Sequence, residues 1–137
     1  MKVEPIWVVA GTLAGPNGGW LMHCRPLEKP HGGLWEFPGG KIEGFELPIE
    51  SLIRELNEEL GIVIDPAHCA PIGFAEDQRK QGAPPIVILF YKVTDWVGEP
   101  QALEGGRIGW FTPQEIANLS KPPLDEQLTA QLFENQK

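Results

Sequence analysis

The order of hydrophobic and polar residues predicts several strands. Val3 to Leu13 is rich in Val, Ile and Trp and predicts a strand, and Trp20 to Arg25 predicts the returning strand after the turn-forming residues 15–19. Pro85 to Val93 is a nearly continuous apolar run, which is typical of a central strand buried on both faces. Two shorter strands are predicted, at Ile62–Ile64 and at Ile72–Glu76.

Apolar residues at helical spacing predict three helices. Between Leu47 and Leu60 they recur every three or four positions, with Pro48 suited to the first turn and Gly61 to the end. Thr112 to Glu115 is a capping-box sequence with proline at the first helical position, and it predicts a short helix that ends near Leu119. One face of a final helix is formed by Leu124, Leu128, Leu132 and Phe133.

Strands and helices are mixed along the chain without strict alternation. This order predicts an α/β (α+β) layered fold with a mixed sheet. The 137 residues suit one domain that spans residues 1–137. From Pro26 to Gly44 the chain is dense in Gly and Pro, which predicts a long ordered loop, and loops of this length are usually functional.

Composition restricts the compartment and the partners. The formal net charge of −8 argues against binding a nucleic acid polymer, which normally relies on Lys and Arg, although metal cations can still bridge an acidic protein to a small phosphorylated ligand. No apolar run approaches the roughly 20 residues of a membrane span, and Glu4, Pro5 and Gly11 interrupt the apolar N-terminal stretch, unlike a signal peptide. We therefore expect a cytoplasmic protein away from membranes, in which Cys24 and Cys69 are reduced.

Three carboxylates share one side of the helix predicted at 47–60. At about 100° per residue, Glu55, Glu58 and Glu59 fall on one arc and the apolar residues on another. Like charges at this spacing repel each other, and a divalent cation such as Mg²⁺ is the simplest compensation. A solvated acidic face is the alternative interpretation of such a run taken alone.

The sequence around these carboxylates favours the metal. Residues 40–62, GKIEGFELPIESLIRELNEELGI, match the Nudix box without a gap or a substitution. The matching positions are Gly40, Glu46, Arg54, Glu55, Leu56, Glu58, Glu59, Gly61 and Ile62. The stretch Gly33 to Lys41 resembles the approach to the box in MutT-type Nudix enzymes, which cleanse the nucleotide pool. Arg25-Pro26 and Pro122 to Asp125 resemble the same branch, so the similarity covers most of the chain.

This resemblance implies the Nudix fold, a mixed β-sheet sandwiched between α-helices. It also implies a Mg²⁺-dependent hydrolase, with Mn²⁺ as the expected substitute, that cleaves a nucleoside triphosphate to the monophosphate and pyrophosphate. The implied substrate is a small oxidised nucleotide such as 8-oxo-dGTP, the implied process is DNA repair, and we expect a monomer. A pyrophosphohydrolase of CTP or dCTP is the alternative, and ADP-ribose and diadenosine polyphosphates stay open. A non-catalytic binding module of the same fold would typically have lost box glutamates, which this chain keeps.

The resemblance assigns metal and catalytic roles to individual residues. Implied metal ligands are Glu55, Glu58, Glu59, Glu104 and the carbonyl of Gly39. Glu104 lies in a flexible loop before Trp110, where a solvated glutamate is the alternative. Either Glu55 or Glu104 would accept the proton of the attacking water.

The resemblance also assigns supporting and phosphate-binding roles to charged residues in and near the box. Arg54 looks like the residue that orients a box glutamate through a salt bridge, and a surface pair with Glu50 or Glu58 is the alternative. Glu46 looks like the residue that supports the geometry of loop and helix. Lys41 and Arg25 resemble phosphate-facing cations, with simple solvation as the alternative for both.

The base pocket is implied near Phe37 and Asp125. Asp125 occupies a position that is Asn in the best-known purine-binding member, and an ionised Asp accepts hydrogen bonds but cannot donate them. A raised pKa would restore a donor, an ionised carboxylate would suit the amino group of cytosine, and a simple helix cap is the third interpretation. Cys24 has no evident histidine partner for nucleophilic chemistry. The three histidines, His23, His31 and His68, lack metal-site spacing and are expected to play no part.

Overall fold

The computed structural model describes residues 4–77 and 82–134. Its strands are β1 (Ile6–Leu13), β2 (Trp20–Cys24), β3 (Trp35–Glu36), β4 (Gly39–Lys41), β5 (Cys69–Glu76), β6 (Ile86–Val93) and β7 (Arg107–Phe111). Its α-helices are α1 (Pro48–Leu60), α2 (Pro113–Asn118) and α3 (Pro123–Glu134), and single 3-10 turns occupy Pro16–Gly18 and Pro66–His68.

The described strands form two sheets. A four-stranded mixed sheet has the order β4-β1-β6-β5, with β1 and β6 parallel at its centre and antiparallel partners outside them. A three-stranded antiparallel sheet has the order β3-β2-β7. The mixed α/β architecture predicted from the sequence is confirmed, and the second sheet is an addition to it.

Apolar side chains from helices cover both faces of the larger sheet. On one face, Leu52, Leu56 and Leu60 of α1 pack with residues of β1 that include Val9 and Leu13. On the other face, Leu128 and Leu132 of α3 pack with Ala10 and Phe90. A fully buried leucine of this kind contributes about 1.5–3 kcal/mol relative to an exposed one. This burial holds the box helix firmly against the sheet.

The helix boundaries follow the local signals. Pro48 begins α1, the Glu50 carboxylate accepts the Leu47 backbone N–H at 2.7 Å, and Gly61 ends the helix in the left-handed conformation at φ 75°. Thr112 and Glu115 form both contacts of the predicted capping box at the start of α2. No helix among the described residues is long and apolar enough to cross a membrane.

Several strands differ from the sequence predictions. The region 26–44 was predicted to be a loop, but it contains β3 and β4, which are two and three residues long and too short for a periodic pattern. Strand β5 begins at Cys69 rather than Ile72, and β7 was not predicted. At 62–64 the structure has only one bridge, between Val63 and Val97. Strand β1 begins at Ile6, and Val3 lies outside the described residues.

Candidate active site

A cleft of about 240 Å³ opens beside the C-terminal half of α1. Its lining combines the end of β2 and β3, the helix and the loop before β7: His23, Arg25, Pro26, Lys29, Glu36, Glu59 and Glu104. Arg25, Glu59 and Glu104 were predicted as site residues from separate parts of the sequence, and the fold brings these three together. Both cysteines of the chain, Cys24 and Cys69, are free thiols.

Arg54 links the loop before α1 to the acidic side of the helix. Its Nε and Nη2 donate to the two oxygens of Glu46 at 2.7 and 2.9 Å, and Nη2 also donates to the Lys41 carbonyl at 3.0 Å. Its Nη1 donates to Glu55 at 2.9 Å and to Glu58 at 3.4 Å. The contact with Glu58 was foreseen only as an alternative, and here it accompanies the one with Glu55.

Glu46 is the carboxylate most strongly held by this arginine. Besides Arg54, it accepts the Ser51 hydroxyl at 2.7 Å and the Glu43 backbone N–H at 3.0 Å. These donors, Arg54 first among them, hold the pKa of Glu46 at about 2, and Glu46 in turn raises the pKa of Arg54. The pair fixes the turn that leads into α1.

Glu59 has the opposite environment. Its side chain accepts the Gly39 backbone N–H at 3.0 Å, and burial raises its pKa to about 8. Burial also raises the pKa of Glu55, against the opposing contact with Arg54. Glu58, by contrast, leaves half of its side chain exposed.

Gly40 is required by the approach of α1 to β4. A Cβ built at position 40 would collide with the Glu55 carboxylate. The absence of a side chain therefore lets that carboxylate lie directly against the strand backbone, close to the Gly39 N–H that Glu59 accepts.

The chemistry of these groups fits a hard divalent cation. Mg²⁺ takes oxygen ligands, and the α1 carboxylates and the backbone of β4 supply oxygens only. Burial of these carboxylates, with a smaller contribution from neighbouring like charges, raises the pKa values of Glu55 and Glu59, and a bound cation would offset that cost. Within residues 4–77 and 82–134, however, no three acidic, His or Cys side chains already stand close enough to enclose an ion. Glu55 and Glu58 both contact Arg54.

The loop that carries Glu104 is fixed on both sides. The Leu103 N–H donates to the Glu59 carbonyl at 3.0 Å, at the end of α1. The His23 Nε2 lies 2.9 Å from the Gly105 carbonyl oxygen. Glu104 itself is exposed, and its charge contributes to raising the pKa of Glu55, which places the two carboxylates within electrostatic range.

Arg25 and Glu36 also line the cleft and contact each other. The Arg25 Nη1 donates to Glu36 at 3.1 Å, and its Nε donates to the Pro30 carbonyl at 2.7 Å. The Glu36 oxygen also lies 3.9 Å from the His23 Nδ1, and this carboxylate is the main cause of the raised pKa of His23. Arg25 is therefore engaged by the loop rather than simply solvated, and its role toward phosphate stays a prediction.

The residues implied for the base pocket meet one another. The Phe37 backbone N–H donates to the Asp125 Oδ2 at 3.1 Å, and the Phe37 ring packs on Phe90 at 4.8 Å. Burial raises the pKa of Asp125 to about 7. Lys41 instead lies along a neighbouring groove with Trp7 and Pro48, and its role toward phosphate also stays a prediction.

Among the cleft residues without a predicted role, His23 and Glu36 make contacts with other cleft residues. His23 was expected to play no part, yet it is buried in the cleft wall at 7% exposure. Glu36 lies in the stretch from Gly33 to Lys41, for which no individual role of this residue was predicted. The two side chains meet because β2 pairs with β3, where His23 faces Glu36, and no spacing along the sequence signals that pairing.

Comparison with known proteins agrees with this geometry. The NUDIX domain family matches residues 5–132. The 8-oxo-dGTP diphosphatase of Proteus vulgaris is 35% identical over 111 residues, which cover 80% of this chain and 95% of that protein. The CTP pyrophosphohydrolase of Escherichia coli K12 is 34% identical over 119 residues, 85% of this chain and 84% of that protein. The solution structure of the E. coli ORF135 protein superimposes with a TM-score of 0.83 at 31% identity, covering 98% and 92% of the two chains.

Proposed function

The chain belongs to the Nudix family of hydrolases, and we propose that it cleaves 8-oxo-dGTP to the nucleoside monophosphate and pyrophosphate. The observation that carries this proposal is the intact box helix, with Glu55 and Glu59 held against the backbone of β4 beside the cleft. A module that only binds its ligand would not need carboxylates in so costly a position. Relatives named as 8-oxo-dGTP diphosphatases support the substrate.

Nudix hydrolases generally use divalent metal cations, and we propose Mg²⁺ here, with Mn²⁺ able to replace it. The proposed ligands are Glu55, Glu58, Glu59, Glu104 and the carbonyl of Gly39. When bound, the metal neutralises the triphosphate and lowers the pKa of a water molecule. Each ligand is an oxygen, in keeping with the preference of this cation.

The remaining work falls to side chains of the protein. Phosphoryl chemistry depends mainly on positioning and charge neutralisation. Arg54 holds the Glu55 carboxylate in place, while Arg25 and Lys41 offer positive charge to the phosphates. A carboxylate, Glu55 or Glu104, accepts the proton of the attacking water.

A specific observation also favours a cytidine nucleotide as the second candidate. Asp125 is a carboxylate at the implied base pocket, and one of its oxygens accepts the Phe37 N–H. In its ionised form it can only accept, which suits the amino group of cytosine better than an oxidised guanine. The similarity to a CTP pyrophosphohydrolase supports the same candidate.

The deciding experiment compares substrates directly. Product formation would be measured with and without Mg²⁺ on 8-oxo-dGTP, dGTP, CTP, dCTP, ADP-ribose and a diadenosine polyphosphate. The highest kcat/KM for 8-oxo-dGTP supports the proposal, and the highest for CTP or dCTP moves the function to the second candidate. If the protein hydrolyses none of these compounds, the interpretation as a non-catalytic binding module remains.

A matched pair of variants tests the role of the box. Glu58→Gln removes a charge whose side chain is half exposed and makes one long contact with Arg54, so the fold should persist. We expect kcat to fall by at least about 100-fold, beyond the usual effect of residues that only support metal ligands. Glu50→Gln is the control on the same helix, because glutamine also serves in a capping box. Equal activity of both variants and the parent would remove Glu58 from the mechanism.

We further propose a cytoplasmic monomer that acts on free nucleotides. A net charge of −8 opposes contact with a nucleic acid polymer. Light scattering coupled to gel filtration measures the mass in solution. A mass twice that of the 15.2 kDa chain would contradict the monomer.

A further inference from the structure

The His23 ring makes one hydrogen bond whose direction is fixed by chemistry. Its Nε2 lies 2.9 Å from the carbonyl oxygen of Gly105, and a carbonyl oxygen can only accept. The proton is therefore on Nε2, and His23 is the donor. The side chain is buried at the C-terminal part of β2, so its position is set by the strand and not by the loop.

Two contacts from different elements hold the residues on either side of Glu104. Before it, the Leu103 N–H is tied to the Glu59 carbonyl of α1 at 3.0 Å. After it, the Gly105 carbonyl is tied to His23. The first contact is between backbone groups, so His23 is the side chain through which this arrangement can be altered.

The loop also comes unusually close to β2 just beyond this bond. Gly106 has φ 72°, and a Cβ there would collide with the Cys24 carbonyl and come within 3.1 Å of the His23 Nε2. Such an approach is open only to glycine. The turn thus packs against the end of β2 as a built contact, with the His23 ring as its polar attachment.

We propose that His23 is a positioning residue that holds Glu104 toward the carboxylates of α1. This inference rests on the proposed hydrolase function and on the part assigned there to Glu104. His23 acts through the Gly105 carbonyl and does not touch the reacting atoms. Without its hydrogen bond, no side chain holds the Gly105 carbonyl between the backbone contact at Leu103 and the start of β7 at Arg107, and Glu104 samples positions away from Glu55.

Two amide substitutions distinguish the loss of the hydrogen bond to Gly105 from the loss of the imidazole ring. In His23→Gln the side-chain nitrogen stands as many bonds from Cα as Nε2 does and can still donate to Gly105. In His23→Asn the nitrogen corresponds to Nδ1 and cannot reach. We expect His23→Asn to lower kcat by about 5- to 50-fold. This range lies between the loss expected for one hydrogen bond and the larger loss in rate that a misplaced catalytic group causes. His23→Gln should retain kcat within about threefold, with thermal unfolding confirming that both variants are folded.

A second readout does not depend on activity. Hydrogen–deuterium exchange of the metal-free protein reports how often residues 103–107 open. We expect exchange in this segment to be about fivefold faster in His23→Asn, and close to the parent in His23→Gln. If the parent hydrolyses no nucleotide, the proposed function fails while this measurement still decides the loop contact.

A double variant shows whether the effect passes through Glu104. When Glu104→Gln has already removed the carboxylate, adding His23→Asn should lower kcat no further. The inference is overturned if His23→Asn and His23→Gln behave alike in kcat and exchange. It is equally overturned if His23→Asn lowers kcat as much in the Glu104→Gln background as in the parent.

Discussion

We expect the free energy of unfolding of Asp125→Asn to rise relative to that of the parent as pH rises. Asp125 is 6% exposed, and burial raises its pKa from 3.8 to about 7. The folded state therefore binds this proton more tightly than the unfolded chain does. As pH rises from about 4, the unfolded chain loses the proton first, so the stability of the parent falls until pH passes about 7.

The size of the effect follows from the two pKa values. A shift of about three units corresponds to roughly 4 kcal/mol of destabilisation once both states are ionised. Roughly 2 kcal/mol of this is already lost at pH 5. Between pH 5 and pH 8 the free energy of unfolding of Asp125→Asn should therefore rise by about 2–3 kcal/mol relative to the parent.

Urea denaturation of both proteins at the two pH values measures this difference. Groups that titrate in both proteins cancel, and so does any cost of the new amide that does not depend on pH. The Asn carbonyl can still accept the Phe37 N–H, so the contact that joins the two residues is kept. A difference in stability between variant and parent that is the same at pH 5 and pH 8 would refute the reasoning.

The same titration should appear in substrate preference. Protonated Asp125 both donates and accepts, whereas the ionised form only accepts. The ratio of kcat/KM for 8-oxo-dGTP to that for dCTP should fall in the parent as pH rises through about 7. Ionisations of the shared catalytic groups cancel in this ratio. It should stay flat in Asp125→Asn, and parallel profiles in both proteins would exclude Asp125 as the group that selects the base.

Two further substitutions test contacts that support the site. Arg54→Lys cannot keep the paired contacts with Glu46 while also reaching the carboxylates of α1, so kcat should fall by about 10- to 100-fold. Arg107→Lys is the control in that assay, and equal losses would contradict the role of Arg54. Lys121→Met removes a buried ammonium that donates to two carbonyls at the end of α2 and pairs with Glu126 at 2.8 Å. The free energy of unfolding should fall by about 2–4 kcal/mol, and a change below about 0.5 kcal/mol, typical of surface substitutions, would show that these contacts contribute nothing.

Long periodic elements were predictable because their signal is local. The apolar residues of α1 repeat at helical spacing, and its start at Pro48 and end at Gly61 follow from backbone chemistry. The apolar run of β6 lies at the centre of the sheet beside β1, as its composition indicated. In both, burial and local propensity favour the same structure.

Short strands were not predictable because their partners are distant in sequence. Strand β4 exists through pairing with β1, where Lys41 faces Val8, and β7 exists through pairing with β2, where Arg107 faces Cys24. The three residues of β4, two of them glycine, contain no alternation to detect, and the five residues of β7 show no strict one. Their position depends on which chain segment passes beside them.

The residues of the candidate site differ in the same way, because some were predictable from local sequence and others depend on distant contacts. The box residues were predictable because a long spaced motif fixes them along one helix and its preceding turn. His23 and Glu36 enter the cleft from β2 and β3, and their contribution depends on the pairing of His23 with Glu36 and on the turn at Gly105. The state of Asp125 was left open by the sequence, because its pKa depends on burial.

Glu46 lies just before α1 and Glu59 lies in its last turn, and their different environments give two glutamates different charge states. Glu46 receives donors from Arg54 and Ser51 and has a pKa near 2, so it remains an anion and fixes the turn at any physiological pH. Glu59 receives a backbone N–H and is held by burial at a pKa of about 8. Because the Arg54 guanidinium already neutralises the Glu46 carboxylate, a divalent cation bound there would stabilise that carboxylate little further. The charge that a metal ion would stabilise most is at the other end, beside Gly39 and the cleft, where the loop of Glu104 also arrives.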